Sequence, residues 1–318
     1  MKLSGLGEFG LIKKLQKKCS NISHDVLYGI GDDAAVVKGT DKKNLITSDM
    51  LIEGVHFDLS FTTFSQLGYK FLAVNISDIL AMGGDPKYFL ISLGIPRDFE
   101  AHYIYDMYSG IKKIARKFGV IVIGGDTCTS GFGLVLSGAL IGNAKKVITR
   151  SGAKAGDGIF ITNTLGDSAM GLHLLKKWGK KIHKFSPTTH RLKLIKKHLM
   201  PELTPLKSTT KITSMIDVSD GVLADLSHIC DESKVGAIIY KDHIPLSRGL
   251  EAMAKRLGKD PYEFALKGGE DYSLLFTAPS NYRTDAYKIG EIVKKGRYIV
   301  DSNGEKTTFR PEGYEHFR

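Results

Sequence analysis

The chain has 318 residues, 42% of them hydrophobic, 25% charged and 9% aromatic, with three cysteines and a formal net charge of +11. That length holds one large domain or two ordinary ones, and the composition excludes a disordered or fibrous chain. No apolar run approaches the roughly 18 residues of a membrane helix, and Met1-Lys2-Leu3-Ser4-Gly5 lacks the charged-then-apolar layout of a signal peptide, so a cytoplasmic chain with no membrane partner is expected.

The excess charge invites a nucleic-acid reading, but its location opposes it. Nine Lys or Arg and no Asp or Glu lie between His173 and His198, which leaves 11 − 9 = +2 for the rest. A lysine-rich stretch of this kind reads first as solvated helix faces and second as a surface for an anionic partner; no nucleic-acid partner is expected. Cys19, Cys128 and Cys230 are far apart in sequence, which suits free thiols in a reducing compartment.

In chain order, Leu11, Ile12 and Leu15 have helical spacing, and Ala34–Val37 and Leu45–Thr47 read as short strands joined by a turn at Lys38–Asp41. Phe64–Met82 reads as a long helix with Leu67, Phe71 and Val74 on one stripe. Tyr88–Ile95 is a strand closed by Pro96, Ala101–Phe118 a helix, and Val120–Ile123 a strand running into Gly124-Gly125-Asp126. After the strand Leu134–Ile141, a polar, glycine-containing passage near 145–155 suggests a boundary, placed at 148/149 (domains 1–148 and 149–318). Beyond it the spacing predicts strand 158–162, helices 167–177, 189–199 and 203–211, strand 214–218, helix 222–232, strand 235–240, helices 248–257 and 260–267, and strand 272–277. The alternation points to an α/β or α+β protein.

Aspartates beside apolar runs are the informative feature: Gly31-Asp32-Asp33, Ser48-Asp49, Asn75-Ile76-Ser77-Asp78, Gly124-Gly125-Asp126, Asp217-Val218-Ser219-Asp220 and Gly269-Glu270-Asp271. Each alone reads as turn chemistry. Six together point to a shared Mg²⁺ site, because buried carboxylates need partners and this ion prefers oxygen ligands. Asn75 and Asp78, three apart on a helix, share a face. Ser219 and Asp220 read either as part of that site or as caps of the following helix, whose N-terminus would suit phosphate. A P-loop is absent, and Gly29-Ile30-Gly31-Asp32-Asp33-Ala34 fails as a dinucleotide fingerprint because Ala34 replaces its third glycine and a strand follows. There is no nucleophile elbow and no His-Glu-x-x-His pattern.

These motifs occur in a familiar order. Gly29–Val36 is followed by Thr47-Ser48-Asp49-Met50-Leu51-Ile52-Glu53-Gly54-Val55-His56-Phe57, Ala73–Gly83, Gly124-Gly125-Asp126-Thr127, Asp217–Val222, Gly268–Tyr272 and Gly313-Tyr314-Glu315-His316-Phe317. The set resembles the thiamine-monophosphate kinases, of the ATP-binding superfamily that includes aminoimidazole ribonucleotide synthetase and selenophosphate synthetase, from Gly7 to Phe317. The resemblance implies an N-terminal α/β domain pairing with its twin in a homodimer through a β-barrel-like interface, and a C-terminal α+β domain. It implies ATP-dependent phosphorylation of thiamine monophosphate. Asp33, Thr47, Ser48, Asp49, Asp78, Asp126, Asp217 and Asp220 would hold several Mg²⁺ ions. Tyr108, Gly125, Arg150 and Ser219 would contact ATP, and His56, Glu270 and Tyr314 the thiamine phosphate.

No covalent nucleophile or general base is implied, because a phosphate oxygen is already anionic near neutral pH. Taken alone, His56 reads as a packed histidine, Arg150 as a surface arginine, Tyr314 as a surface or packing tyrosine, and Glu270 as either a counter-charge for the thiazolium or the cap of a turn. Gly84, where the family often has alanine, and the basic 173–198 stretch are the departures. Two other readings stay open: another ATP-dependent superfamily member, such as a ring-closing or selenophosphate synthetase, and a basic nucleic-acid-binding protein. Cys19, in Lys17-Lys18-Cys19-Ser20, lacks the glycine-rich setting that selenophosphate chemistry would need.

Overall fold

The structure, a computed structural model, describes residues 26–28, 32–33, 35–38, 43–179 and 190–317. The expected N-terminal helix, Cys19, Gly29, Gly31 and the middle of the lysine-rich stretch lie outside the described residues.

Six strands form the first sheet: β1 (Val26–Tyr28), β2 (Ala35–Lys38), β3 (Lys43–Ile52), β4 (Asp85–Pro96), β5 (Ile121–Ser130) and β6 (Val135–Ala144), in the order β1-β2-β3-β6-β4-β5. All neighbours are antiparallel except β4 and β5, whose parallel pairing requires a crossover. Helix α2 (Ala101–Phe118) makes that crossover, and α1 (Phe64–Ala81) links β3 to β4. Alternation along β3 sends Leu45, Thr47, Asp49 and Leu51 inward and Ile46, Ser48 and Met50 outward.

Helix α1 starts at a capping box, in which the Thr63 hydroxyl accepts the Gln66 N–H and the Gln66 side chain accepts the Thr63 N–H. The stripe expected on this helix proves too narrow. Residues from Leu67 to Ala81 are buried nearly all round, polar Lys70, Asn75 and Ser77 included. One side packs on β3 and β6, another on α2, and a third meets the strand Ser214–Asp217 of the second sheet. The amphipathic α2, by contrast, buries Met107, Gly110, Ile111, Ile114 and Ala115 at helical spacing. The two helices approach closely at glycines. A Cβ on Gly110 would lie 1.8 Å from the Ser65 carbonyl oxygen, and one on Gly68 would lie 1.9 Å from that of Met107.

The second sheet is built from β7 (Asp157–Ile161), β8 (Ser214–Asp217), β9 (Gly236–Tyr240), β10 (Leu274–Pro279), β11 (Tyr287–Val293), β12 (Arg297–Val300) and β13 (Lys306–Thr308), ordered β13-β12-β9-β11-β7-β10-β8. Around it lie α3 (Asp167–Trp178), α4 (His190–Leu199), α5 (Val222–Ser233), α6 (Arg248–Leu257) and α7 (Pro261–Lys267). Phe160, Met215 and Phe276 on one face join the core that contains α1, while Ile159, Ile216 and Leu275 on the other pack with α5 and α7. A third cluster unites α3, α4 and α6. The mixed α/β and α+β architecture agrees with the sequence.

One expected element is absent. Residues 203–211 form no helix, because Pro201 and Pro205 interrupt the segment. Its backbone carbonyls are satisfied from elsewhere: Lys146 Nζ donates to Thr209, Thr210 and Ile212 at 3.3, 2.9 and 3.2 Å. Strands β11 to β13 were not anticipated.

Candidate metal and phosphate site

Carboxylates from four separated segments converge where α1 passes between the sheets. Asp33 precedes β2, Asp49 lies inside β3, Asp78 inside α1, and Asp217 ends β8. Single oxygens of Asp33, Asp78 and Asp217 lie within 4.8 Å of one another. Asp78 lies on the helix where the sequence placed it, Asp217 ends its strand, and Asp49 and Asp126 lie inside strands.

The cluster is expensive to keep charged. Burial, reinforced by Asp33, pushes Asp49 up to about 6. Burial and the same neighbour push Asp217 to about 7, against the Ser77 hydrogen bond and the Arg150 charge. Asp78 rises well above the usual range through burial and the charges of Asp49, Asp217 and Asp33. Asp32 is raised to about 6, by burial and then by Asp33. Two hydroxyls steady the group: Thr47 Oγ1 donates to Asp78 Oδ2 at 2.5 Å, and Ser77 Oγ to Asp217 Oδ2 at 2.6 Å.

Against Asp32, Asp33, Asp49, Asp78 and Asp217, Arg150 brings one guanidinium. Its Nη2 lies 2.5 Å from Asp33 Oδ1 and its Nε 3.7 Å from Asp32 Oδ1. Burial works to lower its pKa, but Asp33 and Asp32 outweigh this and raise it. Arg150 is therefore part of the acidic cluster and no ordinary surface arginine. Asp33 Oδ2, Asp49 Oδ2 and Asn75 Oδ1 are buried without a hydrogen-bond partner among the described residues. Such oxygens fit a hard divalent cation, which takes carboxylate and amide oxygens and leaves room for phosphate.

The remaining expected residues are placed unevenly. Thr47 faces the cluster, whereas Ser48 alternates to the outer face of the sheet. Asp126 is exposed on β5, its Oδ1 accepting the N–H of Thr127 at 2.8 Å. Gly125 beside it has φ 152, and a Cβ there would strike the Ile91 carbonyl oxygen at 1.7 Å, so this strand position needs glycine. Tyr108 is half-buried on α2 against the core shared with α1. Ser219 and Asp220 do not cap α5. The cap is Gly221, and Asp225 reaches back so that Oδ2 accepts the N–H groups of Gly221 at 3.0 Å and Asp220 at 3.3 Å.

Glu270 stands in a second buried network that the sequence did not foretell. Lys70 Nζ of α1 lies 2.7 Å from its Oε1, and His198 Nδ1 of α4 lies 3.1 Å from its Oε2. Ser168 Oγ is also 3.1 Å from His198 Nδ1. Burial acts to raise the Glu270 pKa, yet the Lys70 charge and the His198 hydrogen bond hold it well below the carboxylate range. The side chain thus makes an ion pair and caps no turn. Glu270 and Tyr272 both adopt left-handed backbone, φ 62 and 49, rare for such residues. Their N–H groups donate to the carbonyls of Ser219 (2.7 Å) and Val218 (2.9 Å), tying this loop to the end of β8. A lysine in the apolar run Leu67–Val74 was the available signal for Lys70.

His56 and Tyr314 come together through His316, which had been given no role. The His56 and His316 rings are 5.1 Å apart, Tyr314 Oη is 3.3 Å from His316 Nδ1, and His56 Nδ1 accepts the Ile52 N–H at 3.1 Å. The Tyr314 N–H donates to the Asp220 carbonyl at 3.0 Å, anchoring the C-terminal tail beside the loop after β8.

The chain is similar to known proteins along its whole length. Residues 31–144 match the family model "AIR synthase related protein, N-terminal domain", and residues 154–303 match "AIR synthase related protein, C-terminal domain". The thiamine-monophosphate kinase of Aquifex aeolicus (strain VF5) is 38% identical over 323 residues, spanning 100% of both chains. That of Buchnera aphidicola subsp. Acyrthosiphon pisum (strain APS) is 37% identical over 98% of both. A solved structure described as AaThiL complexed with AMPPCP and TMP superposes with a TM-score of 0.87 at 36% identity, covering 99% of each chain. With its two AIR-synthase-type halves and full-length identity to these enzymes, the chain belongs to the thiamine-monophosphate kinase family.

Proposed function

We propose that the converging aspartates are the cation and phosphate site of an ATP-dependent kinase that transfers the γ-phosphoryl group of ATP to thiamine monophosphate, giving thiamine diphosphate and ADP. The observation that carries this reading is the grouping of Asp33, Asp78 and Asp217 within 4.8 Å, with unpaired oxygens on Asp33 and Asp49 beside it.

In the reaction, an oxygen of the acceptor's phosphate forms a bond to the γ-phosphorus as the bond from that phosphorus to the β,γ-bridging oxygen breaks. The acceptor oxygen is already anionic, so no side chain has to remove a proton. The obstacle is repulsion between two polyanions, and Mg²⁺ supplies charge neutralisation and alignment when bound. Asp33, Thr47, Asp49, Asp78 and Asp217 would hold it, with Asp126 and Asp220 completing the set; Ser48, its side chain turned to the outer face of β3, would join only through its backbone. The hydroxyls of Thr47 and Ser77 orient two of those carboxylates. Arg150 would clamp a phosphate through its forked donors, and Tyr108, Gly125 and Ser219 would complete the ATP contacts. His56, Tyr314 and Glu270 would meet the thiamine phosphate.

A homodimer through the first sheet forms part of the reading. Its outer face exposes Ile46, Met50 and Tyr88, and β5, at the edge of the sheet among the described residues, exposes Ile121 and Ile123, an apolar face and edge suited to a second copy. The division at 148/149 falls between β6 and β7. Among the described residues no helix is long and apolar enough to cross a membrane, which suits the proposed cytoplasmic location.

The test is incubation of the purified protein with Mg-ATP and thiamine monophosphate, with products resolved by chromatography. Thiamine diphosphate appearing one-for-one with ADP, and lost in folded Asp78→Asn, is the expected result. A folded wild-type protein that makes none sinks the proposal.

A further inference from the structure

We infer that Lys70 is a positioning residue for the phosphoryl acceptor: from inside α1 it fixes the Glu270 carboxylate, jointly with His198, as a hydrogen-bond acceptor for the ring end of that acceptor. The inference rests on the reading above that Glu270 meets the acceptor, and it gives that contact a different chemistry from a free counter-charge.

Lys70 is 2% exposed, and a buried ammonium is costly unless paired. Its partner lies 2.7 Å away on a different segment, so the pair joins α1 to the Gly268–Tyr272 loop. Counting side chains alone, access differs: that of Lys70 is 3% and that of His198 5% exposed, while that of Glu270 is 28% exposed. Lys70 and His198 thus hold the carboxylate, one on each oxygen, and of the three side chains Glu270 alone keeps appreciable exposure through which an acceptor would reach it. A carboxylate oxygen has more than one acceptor site, so lone pairs remain for N–H donors. With the ammonium adjacent, the pair is close to neutral as a whole. It therefore suits a neutral, N–H-bearing ring better than a cation.

Two further features argue that this geometry is built. The left-handed backbone of Glu270 is pinned by its N–H on the Ser219 carbonyl, which fixes the Cα; Lys70 and His198 then fix the side chain. Lys70 and Asp78 also share one helix. Eight residues at about 1.5 Å each separate them by about 12 Å along the axis. Helix α1 would then set the spacing between the cation site, which takes the phosphate, and the Glu270 carboxylate, which takes the far ring.

The experiment is steady-state kinetics of Lys70→Met with both substrates varied, alongside thermal melts. We expect the KM for thiamine monophosphate to rise on the order of tenfold, as for loss of a charge-assisted hydrogen bond, with kcat and the KM for ATP held within about threefold. Lys70→Arg should recover part of the loss. An unchanged acceptor KM, or losses shared equally between kcat and both KM values, overturns the inference and leaves Lys70 structural. Should Lys70→Met fail to fold, Lys70→Met/Glu270→Gln removes both charges together, a change that buried pairs tolerate better than loss of one partner. The same acceptor-selective rise is expected there, and its absence is equally fatal. Failure of the underlying kinase reading looks different, because wild-type protein would then form no thiamine diphosphate.

Discussion

Chelating divalent metal should make stability fall with pH across the range where most proteins are most stable. Asp217, 2% exposed, is raised from 3.8 to about 7 in the folded chain. Its protonated form favours folding; that contribution is fully present below about pH 4 and is lost as pH rises through 7. The shift of roughly three units corresponds to about 4 kcal/mol. Asp49, raised to about 6, acts in the same direction over a lower window. Asp49 is itself one cause of the Asp217 shift, so the two do not simply add. Taking about 2.1 cal/mol/K per residue, the melting entropy of the whole chain makes 4 kcal/mol worth roughly 6 °C. The assay is thermal melting in EDTA at intervals from pH 5 to 8, repeated in millimolar Mg²⁺. About two of those three units fall between pH 5 and 8, so Asp217 alone predicts a drop of about 2.7 kcal/mol, or roughly 4 °C, in EDTA; Mg²⁺ should flatten it, because a bound cation favours the ionised carboxylates. Asp217→Asn should melt above wild type at pH 8 in EDTA and gain little from Mg²⁺. A melting temperature in EDTA that does not fall between pH 5 and 8 would refute the reasoning.

Other expectations follow from single contacts. His316→Ala removes the ring between His56 and Tyr314 and should raise the KM for thiamine monophosphate by about fivefold, of the order of one hydrogen-bonded contact, with the KM for ATP unchanged; equal effects on both would count against an acceptor-side role. Met50→Glu places a charge on the open face of the first sheet, where Met50 is 50% exposed. Sedimentation should report a monomer with an unchanged melt, and an unaltered dimer would move the interface elsewhere. Gly110→Ala forces α2 away from the Ser65 carbonyl and should cost about 3 kcal/mol by overpacking; a loss below 1 kcal/mol in denaturant titration would contradict the close helix crossing.

The sequence disclosed the elements that carry strong local signals and hid those held by distant partners. Phe64–Met82 and Ala101–Phe118 were legible to within a residue because caps and apolar spacing agree. Residues 203–211 were misread because their helical spacing outweighed two prolines, and because the donor that satisfies their carbonyls, Lys146, lies more than fifty residues earlier. The acidic motifs announced the site, but which aspartates share it depends on sheet order. Asp33 and Asp217 meet across 184 positions. Ser48 and Asp49 are neighbours in sequence, yet the pleat of β3 turns their side chains to opposite faces. Lys70 was overlooked because a lone lysine in an apolar helix reads as a snorkelling side chain until its partner, 200 positions away, is known.

Helix α1 explains why the two halves belong to one site. A helix buried on all sides has no reason to carry Lys70, Asn75, Ser77 and Asp78 unless each meets a partner, since every unpaired polar group there would cost free energy. Three of the partners come from different segments: Glu270 for Lys70, Asp217 for Ser77, and Thr47 for Asp78. The first two lie in the second half of the chain and the third on β3. For the fourth, Asn75, Nδ2 donates to the Phe71 carbonyl within the helix while Oδ1 has no donor among the described residues. A register shift of one residue in α1 would break all three pairs, and the contact at Gly68 and Gly110 opposes such a shift because a backbone carbonyl fills the space a side chain would need. The precision required of the acidic site is therefore set in part by the close packing of α1 on α2.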